Sequence, residues 1–187
     1  MKKEKLIDKL KNIAFETGFT EVGELNINEL EYETEVRKIC ESNQCGKYGS
    51  SWVCPPATGT LEECKKRVEQ YDHMLLLNGK FDLEDSFDFE GMIAGMHEFK
   101  KRIENFDRKL KGMVDSYLIL GNEGCSRCEK CTYPDAPCRF PEKLYQTVEG
   151  YGFNVSKMAA SAGMKYNNGQ NTITYFGALL FCDQDHE

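Results

Sequence analysis

His73-Met74-Leu75-Leu76-Leu77-Asn78 and Ser116-Tyr117-Leu118-Ile119-Leu120 are two short, almost wholly apolar runs. The segment between them sets Phe89, Met92, Ile93, Met96, Phe99, Ile103, Phe106, Leu110 and Met113 on one helical face. A brief apolar run bounded by turn signals reads as a buried strand, whereas apolar residues returning every three or four positions read as an amphipathic helix. The stretch thus spells strand, long helix over about 89–113, and strand closed by Gly121. The acidic run Asp82 to Asp88 ahead of the helix reads as a solvated connection, with a docking patch for a basic partner as the alternative. The methionine and aromatic stripe is core material rather than a cofactor box.

Working outward, Leu6, Ile7, Leu10, Ile13 and Ala14 mark an N-terminal helix closed by Gly18, and Phe19 to Leu25 a strand. A helix spans about Leu61 to Tyr71, with Thr60 and Glu63 placed for a capping box. Pro141 suits the first turn of a helix running to about Glu149. A short helix over Val155 to Ala162 ends at Gly163, and Thr172 to Phe181 is the last strand. Strands alternating with helices predict a layered α/β fold: one domain over residues 1–187, with a small mixed or mostly parallel sheet flanked by helices. A chain of 187 residues can bury a real core. Loops at the strand ends would carry the chemistry.

That chemistry is written in nine cysteines. The downstream region, about 124–141, holds Cys125-Ser-Arg-Cys128-Glu-Lys-Cys131 and then Cys138-Arg139-Phe140-Pro141. Three thiolates at C-x2-C-x2-C spacing can wrap one compact polynuclear cluster, as in the opening of the ferredoxin signature. The fourth cysteine follows residues 132–137, two of them proline, which can fold the chain back to the same cluster. The competing reading is a zinc knuckle, although structural zinc usually draws on two separated pairs. The upstream region, about 36–64, holds Cys40, Cys45 and Cys54-Pro55-Pro56, with Gly46, Gly49 and Gly59 allowing tight bends. Cys64 is a candidate fourth ligand. It also shares the helical face of Leu61, Val68 and Tyr71, where a cysteine is simply core. Cys182 ends the last apolar run and reads as packing.

The net charge of -7 and the lack of a basic stripe argue against a nucleic-acid partner. No run is long enough to span a membrane, and the charged start Met1-Lys2-Lys3-Glu4-Lys5 is unlike a secretory signal. The expectation is a cytoplasmic protein, where thiols stay reduced and dense cysteine means metal or redox chemistry rather than disulfides.

The run from Cys45 through Gly46-Lys47-Tyr48-Gly49-Ser50-Ser51-Trp52-Val53-Cys54-Pro55-Pro56 resembles the DUF2284 family of predicted metal-binding proteins of bacteria and archaea. So do the downstream cysteines with Cys138-Arg139-Phe140-Pro141-Glu142, and Glu149-Gly150-Tyr151-Gly152-Phe153-Asn154-Val155 with Ala162-Gly163. The resemblance implies metal binding through Cys40, Cys45 and Cys54, and through Cys125, Cys128, Cys131 and Cys138. It leaves Cys64 open and names no reaction.

Arg127, Arg139 and Trp52 are the candidate cofactor-contacting residues. A guanidinium can donate hydrogen bonds to cluster sulfur, or it can pair on the surface with Glu129 or Glu142. Trp52 can shield the upstream centre or be core, and Tyr48 and Tyr133 allow the same two readings. His73, His97 and His186 do not converge in sequence, and no P-loop, dinucleotide fingerprint or nucleophile elbow occurs. The expected function is electron transfer to a redox partner protein through two [4Fe–4S] clusters in anaerobic metabolism. The alternatives are an enzyme whose three-cysteine cluster leaves one iron open as a Lewis acid, of dehydratase or desulfidase type, and a zinc-bound interaction module.

Overall fold

The computed structural model describes residues 2–183, so His186 lies outside the described residues. Four strands form one sheet: β1 (Glu21–Leu25), β2 (His73–Asp82), β3 (Tyr117–Leu120) and β4 (Thr172–Phe181), in the order β1-β2-β4-β3. The layered α/β fold is as expected; of the two sheets expected, mixed or mostly parallel, the parallel one does not form, because every neighbouring pair is antiparallel. The strand–helix–strand unit does bring β2 and β3 into the same direction, since both run opposite to β4. What the alternation does not reveal is that β4 enters between them. The reason is its composition. Tyr175 to Phe181 is buried without a break, and such a strand belongs inside a sheet, where both sets of ladder groups are paired.

Among the described residues there are five helices, α1 (Lys2–Glu16), α2 (Thr34–Glu41), α3 (Leu61–Val68), α4 (Phe89–Leu110) and α5 (Val155–Ser161), of which all but α2 contribute to the two cores on the sheet. Alternation sorts the side chains. Leu75, Leu77, Ile119, Leu179 and Phe181 join Leu10 of α1 and Phe99, Ile103, Phe106 and Leu110 of α4. Met74, Leu76, Leu120, Ala178 and Leu180 join Cys64 and Val68 of α3 and Met158 and Ala159 of α5. The period of two thus separates two cores, one on each face. α3 begins with the expected capping box between Thr60 and Glu63.

Two expectations change. α4 buries its stripe only from Gly95 onward, leaving Phe89 72% and Ile93 51% exposed. The helix from Pro141 does not form. Only single 3-10 turns appear, at Pro141–Lys143 and Glu149–Tyr151. The backbone between them is used elsewhere. Gly121 N–H donates to Gln146 O (2.8 Å), Val148 N–H to Gly121 O (3.1 Å) and Thr147 N–H to Val53 O (3.1 Å). A parallel bridge joins Gly121 and Thr147. This stitch ties the exit of β3 and the return of the downstream loop to the middle of the upstream loop.

Candidate metal centre

The stitch draws the two cysteine regions side by side. On the downstream side, Cys125, Cys128, Cys131 and Cys138 line one small cavity of about 30 Å³. Trp52, Arg127, Arg139 and Phe140 complete its wall. Trp52 Nε1–H donates to Ala136 O (3.1 Å), and its ring meets Tyr133 edge-on at 4.9 Å. Trp52, which by sequence could shield the upstream centre or be core, lines the downstream cavity. Arg139 donates to Lys130 O (2.9 Å) and so braces the loop across the cavity. Arg127 pairs with Glu104 of α4 rather than with Glu129 or Glu142, and lies over the Phe140 ring. Phe140 N–H points at Cys138 Sγ (3.4 Å), the kind of donor that raises a cluster's potential.

On the upstream side, Cys40, at the end of α2, lines a larger cavity of about 640 Å³ together with Cys45 and Cys54. Gly46 and Gly49 take positive φ (+68° and +64°) with open space around the missing Cβ, so conformation alone demands glycine there. Arg37 anchors this side. Its buried guanidinium donates to Gly150 O (2.5 Å), Gly59 O (2.7 Å) and Thr58 Oγ1 (3.2 Å). Burial pushes the Cys54 thiol up to about 11, and the neighbouring Cys45, Cys40 and Glu149 add to it. Burial and Glu149 likewise raise Cys40. Burial also raises the Glu149 carboxyl, which lines the same cavity. Loading a metal on these thiols therefore requires proton release.

Cys64 stands apart from this set. It is fully buried on α3 within the core of the second face. Its thiol faces Thr58 O (3.4 Å), and Arg67 Nη2 donates to its sulfur (3.2 Å). It lines neither cysteine cavity. Cys182 follows β4, with its thiol toward Gln70 O (3.2 Å).

The two centres share a wall. Trp52 and Val53 line the downstream cavity and Cys54 the upstream one. Glu123 and Gly124 face the upstream cavity, while Cys125 faces the downstream one. The Lys47 side chain lies so close over Gly124 that a Cβ there would sit 2.8 Å from it.

All nine cysteines are free thiols. Among the described residues, no three Cys, His, Asp or Glu side chains converge on a point that would hold one ion. The downstream thiols surround a cavity instead, a donor set that fits a polynuclear cluster, in which each thiolate meets its own iron. The upstream set offers three thiols and the Glu149 carboxyl. Glu149 escaped sequence reasoning because a carboxylate far along the chain from any cysteine looks like any other surface acid. Its one signal was its place in the Glu149-Gly150-Tyr151-Gly152-Phe153 run.

The family whose profile matches residues 23–181 is described as "Predicted metal-binding protein (DUF2284)". No curated protein and no solved structure matches the chain. Among the described residues, no helix is long and apolar enough to cross a membrane.

Proposed function

The chain belongs to the DUF2284 family of predicted metal-binding proteins, and from that premise we propose an iron–sulfur protein with two unlike centres. Cys125, Cys128, Cys131 and Cys138 hold a four-thiolate cluster that relays single electrons. Cys40, Cys45 and Cys54 hold a three-thiolate cluster at which a small substrate reacts. The observation that carries this reading is the partition of the cysteines. Four line a cavity of about 30 Å³ with no room for a substrate, and three line one of about 640 Å³ that has room. Cys64 is sequestered in the core and supplies no fourth thiolate to that side.

An iron without a thiolate supplies Lewis-acid chemistry, polarising a substrate oxygen or accepting a sulfide. The chain's own residues do the rest. Ile39, Phe153 and Val155 give the upstream cavity an apolar wall. Glu149, kept protonated more readily than an exposed carboxyl, can hold a proton beside the reacting group. The shared wall at Trp52 to Cys54 supports a short electron path between the centres, and Trp52 covers the relay side. The reducing cytoplasm suits free thiols.

The second reading is a plain electron carrier for a redox partner protein. It is favoured by the exposure of the Cys125 to Phe140 loop, which would let a partner approach the four-thiolate centre.

Anaerobic purification followed by iron and sulfide analysis, with electron paramagnetic resonance of the reduced protein, tests the proposal. The expected result is a brown protein with two cluster signals, one of which shifts when a small anion such as cyanide is added. Two signals that both ignore the anion select the carrier reading. Stoichiometric zinc without sulfide defeats both.

A further inference from the structure

Residues 123–125 divide the two centres, since Glu123 and Gly124 face the upstream cavity and Cys125 the downstream one. A further cavity, of about 410 Å³, opens beside this divide; Glu123, Gly124 and Cys125 line it, and so does Lys100 of α4. The Lys100 ammonium donates to Gly124 O (2.5 Å), the carbonyl of the peptide that leads into Cys125. The other cations nearby are matched by carboxylates. Lys101 pairs with Glu98, and Arg127 and Lys143 pair with Glu104. Lys100 instead meets a neutral carbonyl, which orients the ammonium without cancelling its charge.

Place and partial burial make that charge count, because a partly buried charge is screened by salt far less than an exposed one. Burial pulls the Lys100 ammonium below its ordinary 10.5, while Glu123, Cys125 and Cys54 favour the charged form. Cys125 belongs to the downstream set and Cys54 to the upstream one, so a single ammonium lies within electrostatic reach of both. Metal-bound thiolates are anionic and strengthen its charged form further.

We propose that Lys100 is a positioning residue that raises the reduction potentials of both centres, the downstream one more, and so lets two anionic clusters hold electrons side by side. The inference rests on the two-cluster reading above. Each centre takes one electron from a one-electron reductant, with no bond made or broken. The negative charge so added is stabilised by a nearby cation, and net charge is one of the levers on a cluster's potential. Glu123, on the same divide, acts with the opposite sign.

Anaerobic redox titration of the metal-loaded protein, read by electron paramagnetic resonance, tests this. In Lys100→Met both resonances should reach half-reduction at lower potential. The downstream one should move by about 59 mV, which is a tenfold loss in the reduction equilibrium of a one-electron couple. Glu123→Gln should move both the other way, which the loss of a packing contact would not do. Lys100→Arg keeps the charge and should stay at the parent potentials. Lys101→Met should stay there as well, because that side chain is 72% exposed and its ammonium is already paired with Glu98. Iron and sulfide should be unchanged in all four variants; if Lys100→Met loads less iron, the sign of the Glu123→Gln shift decides. Two clusters at parent potentials in Lys100→Met or in Glu123→Gln overturn the inference and leave the two-cluster reading standing. So does a fall in Lys100→Arg or Lys101→Met as large as that in Lys100→Met. Zinc in place of iron overturns the two-cluster reading and this inference with it.

Discussion

At the scale of single residues, the chain separates cysteines that sequence treats alike. Spacing leaves Cys64 undecided, because the helical periodicity that makes it core and the interval that makes it a ligand are both satisfied. Its place in the core, with its sulfur paired to Arg67 and Thr58, sets it apart from Cys54, which lines the upstream cavity. Cys64→Ala should therefore leave iron and sulfide content at the parent level. It should cost about 1–2 kcal/mol from the lost buried volume and sulfur contacts; loss of half the iron would restore Cys64 as a ligand. Asp107 carries a second residue-level prediction. Its buried carboxylate accepts from Tyr117 Oη (2.8 Å) and Tyr145 Oη (3.0 Å). Burial first, and then this carboxylate, raise both phenols above their ordinary 10.0. The native state thus favours the protonated phenols. Their contribution to stability is complete below pH 10.0 and fades as pH rises through the raised native values. In Asp107→Asn, phenolate absorbance should appear at lower pH, and the alkaline loss of stability should become shallower. Identical titrations would show that burial alone sets these phenols.

At the scale of elements, what the sequence made legible was whatever local physics decides. Apolar runs at 73–77 and 172–181 became strands, the 3.6-residue stripe became α4, and Thr60 and Glu63 capped α3. Partners were not legible. The seating of β4 between β2 and β3 depends on contacts across the whole chain. The unformed helix after Pro141 lost its backbone to Gly121 and Val53, both distant in sequence. The downstream cysteines were legible as a set because one loop carries them. The upstream cavity was legible only in its cysteines, because Glu149 arrives through that same tertiary stitch. The loops also govern how the centres respond to change. Cys128→Ser removes one thiol from the downstream cavity, a ligand under the proposed function, and touches no residue of the upstream one. Iron and sulfide should fall by about half, with the upstream resonance retained. Complete loss of iron would mean that the shared wall at Trp52 to Cys54 makes loading of the two centres a single event.

At the scale of the molecule, the sheet and the cysteine loops are stabilised by different means. The sheet is buried on both faces by residues at or near zero exposure, and burial at this density supplies most of a domain's stability. The cysteine loops at 42–60 and 121–140 contain no helix or strand. Few of their side chains reach either core, so beyond the stitch at Gly121 and the anchor at Arg37 they depend on bound metal for order. Removing it under anaerobic chelation should then divide the molecule. Far-ultraviolet circular dichroism should stay close to that of the loaded protein, because β1 to β4 and the helices α1, α3, α4 and α5 carry no residue of either proposed ligand set. The cysteine loops should become the first sites of limited proteolysis, while β2 and β4 remain protected. The melting temperature should fall by about 10 °C, given that each kcal/mol moves a chain of this size by about 2–4 °C. Reloading should restore it in proportion to bound iron, as linkage requires. Collapse of the circular dichroism signal together with the melting temperature would contradict this division. The metal centres would then be part of the folding core, and the sheet would be too weak to stand without them.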